Sequence, residues 1–144
     1  MRKIIEGRVD LRKLYLNELF DLSDVEVTGD FSCNENNLSN LAGAPKTVNG
    51  SFYCSDTNLT SLEGAPHTVG GDFRCHRNNL TSLEGAPHTV GGDFYCDGNH
   101  ITSLKGIPKT IGGIFYIDKS LINKFPEEYI RGLCKIKGSI LYYD

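Results

Sequence analysis

The sequence predicts a mainly β, right-handed solenoid with a parallel strand stack, degenerate terminal turns and a short C-terminal helix. Three observations predict it. Phe31, Phe52, Phe73, Phe94 and Phe115 are each 21 residues apart. Other apolar slots keep the same step: Cys33, Cys54, Cys75 and Cys96, then Leu38, Leu59, Leu80 and Ile101, then Leu41, Leu62, Leu83 and Leu104. Pro45, Pro66, Pro87 and Pro108 close the units, and Val48, Val69, Val90 and Ile111 open the next. A unit this short cannot bury its apolar edge alone, whereas stacked units bury one continuous column. Crossovers between parallel strands are right-handed.

The elements follow in order. Val9, Leu11, Leu16 and Leu19 match the Phe, Cys and two Leu slots, with one extra residue before Phe31, so residues 1–26 read as an N-terminal cap turn. Residues 27–113 hold four regular repeats. Within each, the run from Gly to Cys alternates inward and outward and reads as a short strand. The Asn-rich stretch after Cys is a turn, and Leu-x-x-Leu returns across the other side. Pro lacks the N–H that a ladder needs, so the back is expected to be irregular or polyproline-like. Residues 114–144 form a C-terminal cap. Ile117, Ile122 and Phe125 continue the slots, and a helical insert follows. Pro126 suits its first position, Glu127 and Glu128 its first turn, and Gly132 its stop. Gly138-Ser139-Ile140-Leu141-Tyr142 echoes Gly50-Ser51-Phe52-Tyr53-Cys54, which predicts seven strands in one stack and one domain over 1–144.

The unit Phe73-x-Cys75-x-x-Asn78-x-Leu80-Thr81-Ser82-Leu83-Glu84-Gly85-Ala86-Pro87 resembles a leucine-rich repeat. It is most similar to the short, roughly 21-residue bacterial and bacteriophage type. The resemblance covers about residues 9–125. It departs in the Gly-Gly before Asp72-Phe73, where a bulge or kink is expected, and in Phe and Cys standing where Leu is usual. The resemblance implies an asparagine ladder of Asn36, Asn78 and Asn99, with Thr57 interrupting. It also implies a phage or mobile-element origin, and with it a host enzyme or defence component as the target.

Composition narrows the function classes. The net charge of -3 argues against a general nucleic-acid binder. No apolar run reaches membrane-spanning length, and Met1-Arg2-Lys3-Ile4-Ile5-Glu6 lacks a signal-peptide core, so a cytoplasmic location is expected, the host cytoplasm if phage-encoded. Four cysteines in a straight file, one per rung, cannot converge on a tetrahedral metal, so reduced packing is expected and no metal or cofactor. Cys134 lies outside the file. His67 and His88 share a slot with Lys46 and Lys109 and read as a solvated charged edge. Asp72 and Asp93 follow Gly-Gly, but the longer calcium-binding pattern is absent. No phosphate loop, nucleophile elbow or paired catalytic carboxylates are present, so a non-catalytic protein is expected, with an enzyme as the weakest alternative.

The outward strand face carries the residues that packing does not hold constant. Tyr53, Arg74, Tyr95 and Tyr116 stand on successive rungs, flanked by Asp72, Asp93, His76 and Asp97. Tyr and Arg on a rigid platform are enriched in binding hot spots. These eight residues are the candidate partner-binding site. The alternative is self-association: Ile114, Tyr116, Leu141 and Tyr143 make an apolar patch at the last rung, whose edge is open to a second copy.

Overall fold

Phe, Val and Leu at a fixed period dictate register, since a slip of one residue would turn every buried side chain outward. The computed structural model describes residues 2–143 and has this register throughout. The first turn carries β1 (Lys3–Ile5) and β2 (Val9–Asp10), the second β3 (Val25–Val27) and β4 (Phe31–Ser32). The regular repeats carry β5 (Thr47–Val48), β6 (Phe52–Tyr53), β7 (Thr68–Val69), β8 (Phe73–Arg74), β9 (Thr89–Val90), β10 (Phe94–Tyr95) and β11 (Thr110–Ile111). The cap carries β12 (Phe115–Asp118), a 3₁₀ turn (Lys119–Leu121), α1 (Glu127–Leu133), β13 (Lys135–Ile136) and β14 (Ile140–Tyr143). Among the described residues the even-numbered strands make one seven-stranded parallel sheet, the front, and the odd-numbered strands make another, the back. No helix among them is long and apolar enough to cross a membrane.

The second sheet corrects the expectation of a single stack with an irregular back. Pro ends the return segment one residue before the ladder begins, so it withholds no needed N–H. The Thr-Val pair that follows is β-branched and suits a strand. Thr47, Thr68, Thr89 and Thr110 pair in register with their side chains half-buried, while Val48, Val69, Val90 and Ile111 are buried. Two-residue strands are too short for alternation to announce them.

The Gly-Gly pair is the corner between the sheets. Gly70 N–H donates to Val48 O at 2.9 Å, and Gly71 N–H to Gly50 O at 2.8 Å. The corners stack so closely that a Cβ on Gly91 would strike the carbonyl oxygen of Gly70. The extra residue is thus a kink that redirects the chain, and glycine is required for contact between backbones.

Between the sheets lies one apolar column. The five phenylalanines are fully buried, with centroids of 5.2, 5.4, 5.3 and 5.7 Å between successive rings. Cys33, Cys54, Cys75, Cys96 and Cys134 are free and buried. Three thiols donate to the carbonyl of the next rung: Cys33 to Tyr53 at 3.5 Å, Cys75 to Tyr95 at 3.1 Å and Cys96 to Tyr116 at 3.3 Å. Burial pushes Cys33 up to about 12 and Cys134 up to about 11, which suppresses the reactive thiolate. Native protein at mildly alkaline pH is therefore expected to resist thiol reagents. Five thiols should appear in denaturant, with or without prior reductant. A smaller count without reductant would mean a disulfide in the file.

Asn78 crosses the turn after the Cys file. Its Nδ2 donates to Cys54 O at 2.9 Å and Cys75 O at 3.0 Å, and its Oδ1 accepts the N–H groups of Thr57 and Leu59, both at 3.0 Å. Asn36 repeats this arrangement, and Asn99 repeats it with its Oδ1 accepting the Leu80 N–H, so the asparagine ladder is present. Thr57 is fully buried and its Oγ1 has no partner.

The ends depart from the regular turn. Val9 pairs with Phe31, as the extra residue requires, and β14 pairs Ile140 with Phe115. Ile122 is 45% exposed, whereas Leu121 packs on the core. The 3₁₀ turn shifts the phase by one residue. Pro126 is the N-cap of α1 rather than its first residue, and Gly132 lies inside the last turn. The helix stops at Cys134, whose backbone is extended because the chain must enter β13 there.

Both ends of the corner column are closed by side chains. Along the stack the second glycine of each corner donates its N–H to the equivalent glycine carbonyl one rung earlier. At the first rung, Gly7 N–H instead donates to Thr28 Oγ1 at 2.8 Å. At the last, Arg131 donates to Ile136 O and Gly138 O, both at 2.8 Å, while Glu127 accepts its Nε at 2.9 Å. The guanidinium thus stands where another rung's N–H groups would stand.

Candidate partner-binding face

Parallel register lines up residues of one slot about 4.8 Å apart on the front sheet. The outward slot beside Phe gives Tyr53, Arg74, Tyr95 and Tyr116, paired rung by rung, with Leu141 following. The structure brings these side chains into one stack. The Arg74 guanidinium lies 5.4 Å from the Tyr53 ring and 4.6 Å from the Tyr95 ring. Tyr95 and Tyr116 are parallel at 4.1 Å, and Tyr143 continues the series at 5.5 Å from Tyr116. Cation–π and ring contacts therefore hold every member. Asp72 Oδ2 accepts from Arg74 Nη2 at 3.0 Å. Burial, and the Tyr116 hydroxyl beside it, push the Tyr95 phenol up to about 12, so Tyr95 keeps its proton at any physiological pH.

The slot before Phe does structural work that the sequence did not suggest. Asp30 Oδ1 accepts Ser51 N–H at 2.8 Å, and Ser51 Oγ accepts Asp72 N–H at 2.9 Å. Asp72 Oδ1 then accepts Asp93 N–H, and Asp93 Oδ1 accepts Ile114 N–H, both at 2.8 Å. Asp72 and Asp93 each commit one oxygen to this ladder. The available signal was a short acceptor recurring in one slot on four rungs.

The slot after Cys is less settled. Asn34 Oδ1 accepts Ser55 N–H at 2.8 Å, and Asp118 Oδ1 accepts Gly98 N–H at 2.7 Å. Between them stand His76 and Asp97. The His76 ring leans on Tyr95 at 5.7 Å. Its Nδ1 and Asp97 Oδ1 are buried without hydrogen-bond partners, as are Arg74 Nε and Ser32 Oγ on the same face. Burial depresses the His76 pKa, and the Asp97 charge opposes this. Native structures rarely leave such atoms unpaired, and here they gather around the strip.

No family model matches the chain, and no curated protein and no solved structure matches it either. What is established is a repeat solenoid of about 21-residue turns.

The self-association candidates adjoin the strip at its last rung, where Tyr143 meets Tyr116 and Leu141 pairs with it. Leu141 and Tyr143 are 41% and 52% exposed at the last rung, with Ile114 half-buried beside them. His67 and His88 stack at 5.1 Å along the back edge, far round the turn from the front sheet. Among the described residues, no three His, Cys, Asp or Glu side chains gather as a metal site would require.

The sequence reading missed a hollow at the N-terminal end of the face. Its volume is about 320 Å³, and it is lined by Arg8, Asp10, Arg12, Asp30, Ser32, Asn34, Tyr53 and Arg74. Its depth comes from side-chain height. The second turn offers short residues, Asp30, Ser32 and Asn34, between the first turn's arginines and the taller Tyr53 and Arg74. Arg12 pairs with Asp10 at 2.8 Å and holds its carboxyl at about 2.

Proposed function

We propose that this chain is a non-catalytic protein-binding module, a short leucine-rich repeat of the bacterial or bacteriophage kind. Its partner is a protein of the host, an enzyme or a defence component, held on the front sheet. One observation carries the reading: Arg74 lies between Tyr53 and Tyr95, and the stack runs on through Tyr116 to Tyr143. Anchors already fixed in place lose little conformational entropy when a partner docks, and Tyr and Arg are the residues most often decisive in such contacts. The phage origin and the host partner follow from the resemblance of the repeat.

Self-association through the last rung is the second reading, favoured by the exposure of Leu141 and Tyr143. Arg131 weighs against it, since its guanidinium fills the corner where an added rung would bond. Arg74→Ala and Tyr95→Ala are expected to abolish capture of the partner from host lysate, each weakening binding by about 2 kcal/mol or more. Mass in solution should not change. If Leu141→Asp and Tyr143→Asp instead lower an oligomeric mass and the face variants bind normally, self-association replaces the proposal.

A further inference from the structure

We propose that the hollow beside the strip receives an aspartate or glutamate carboxylate of the protein bound to the front sheet. This deepens the protein-binding reading and rests on it. Most acceptors around the hollow are already engaged. Asp10 Oδ1 accepts from Arg12 N and Nε, and its Oδ2 accepts from Arg12 Nη2, so both oxygens are engaged. Asp30 Oδ1 is engaged by Ser51 N–H, and Asn34 Oδ1 by the Ser55 N–H and hydroxyl. Asp30 Oδ2 is the acceptor left over.

Donors on four of these residues have no acceptor among the described residues. Arg8 makes no hydrogen bond or ion pair among the described residues. Asn34 Nδ2 has no acceptor there either. Ser32 is only 6% exposed, and its Oγ is unpartnered at the floor. Arg74 donates to Asp72 through Nη2, which leaves Nε without an acceptor. A buried donor without an acceptor is costly, and Ser32 Oγ and Arg74 Nε are two such atoms beside the hollow, so they say what a ligand there must supply.

Charge points the same way. Arg12 is paired with Asp10 and Arg74 with Asp72, so Arg8 is the cation around the hollow that no carboxylate of the described residues pairs. A single carboxylate supplies that partner. It is planar, accepts from arginine along two directions and brings one charge toward Asp30 Oδ2, whereas a doubly charged phosphate would meet more repulsion. The hollow shares Tyr53 and Arg74 with the strip, so a chain lying along the tyrosines reaches it without a gap.

The test follows backbone amide shifts of the full chain during titration with a capped Ala-Glu-Ala tripeptide. A capped Ala-Gln-Ala tripeptide and inorganic phosphate, at matched ionic strength, are the other arms. Saturable shifts at Arg8, Ser32 and Asn34 are expected with the Glu peptide and not with the Gln peptide. Arg8→Gln is expected to weaken them at least about tenfold, the loss of one charge-assisted hydrogen bond, with an unchanged melting temperature because Arg8 is exposed. Equal response to Glu and Gln, no saturable shift, tighter binding of phosphate, or indifference to Arg8→Gln would each overturn the assignment. The two readings fail separately. Tyr95-dependent capture of a host protein without Glu-peptide shifts removes the carboxylate site alone. Glu-peptide shifts with capture that ignores Tyr95 and Arg74 remove the protein-binding strip.

Discussion

Phe73→Ala is expected to lower stability by about 3–5 kcal/mol, the usual loss for a buried phenylalanine. Phe73 is fully buried, and its ring is stacked on Phe52 at 5.4 Å and Phe94 at 5.3 Å. The substitution removes both stacking contacts and opens a cavity in the middle of the column. The rungs above and below cannot close it, because their ladder hydrogen bonds fix the spacing. In a solenoid each rung is stabilised chiefly by its neighbours, so a weak centre uncouples the two halves. Chemical denaturation should show a lower midpoint and, in the extreme, two transitions where the parent has one. A parent-like midpoint would mean that Phe73 does not point inward.

Asn78→Ala should be nearly as severe for a different reason. It strands three backbone groups, the N–H groups of Thr57 and Leu59 and the carbonyl of Cys54, while the Cys75 carbonyl keeps the Asn99 amide. Each unsatisfied buried group costs about 1–3 kcal/mol, although water entering the emptied space would recover part of this. The reverse substitution is available at the gap in the same ladder. By repeat symmetry, an asparagine at Thr57 would donate to the Cys33 and Cys54 carbonyls, and it would accept from Asn36 and Leu38 N–H. Thr57→Asn is expected to stabilise by about 1 kcal/mol, one net hydrogen bond, and to remove a hydroxyl that has no partner. Melting curves of the two variants beside the parent decide both points. Destabilisation by Thr57→Asn would show that the turn there has no room for the longer side chain.

The site was legible in part. Tyr53, Arg74, Tyr95 and Tyr116 could be placed on one strip because a constant period maps each slot to one file. The asparagine ladder was legible only through the resemblance of the repeat. The Asp30–Ser51–Asp72–Asp93 ladder was not read, although its slot recurs, because an outward acidic residue looks solvated until the N–H it faces is known. The hollow was not read either. Its existence depends on the relative heights of side chains on four neighbouring turns, which no single repeat contains.

The sequence by itself determined the period, the inward set, the register of the front sheet and the presence of atypical turns at both ends. All of these follow from burial, which is a property of slots. The tertiary structure decided what depends on contact between rungs. It made the Thr-Val pairs a second sheet, turned Gly-Gly into a corner where backbones touch, shifted the core contact from Ile122 to Leu121, and placed Arg131 over the last open carbonyls. The physical reason is that hydrogen-bond partners and steric limits lie about 21 residues away along the chain but one rung away in space, so only the stacked turns reveal them.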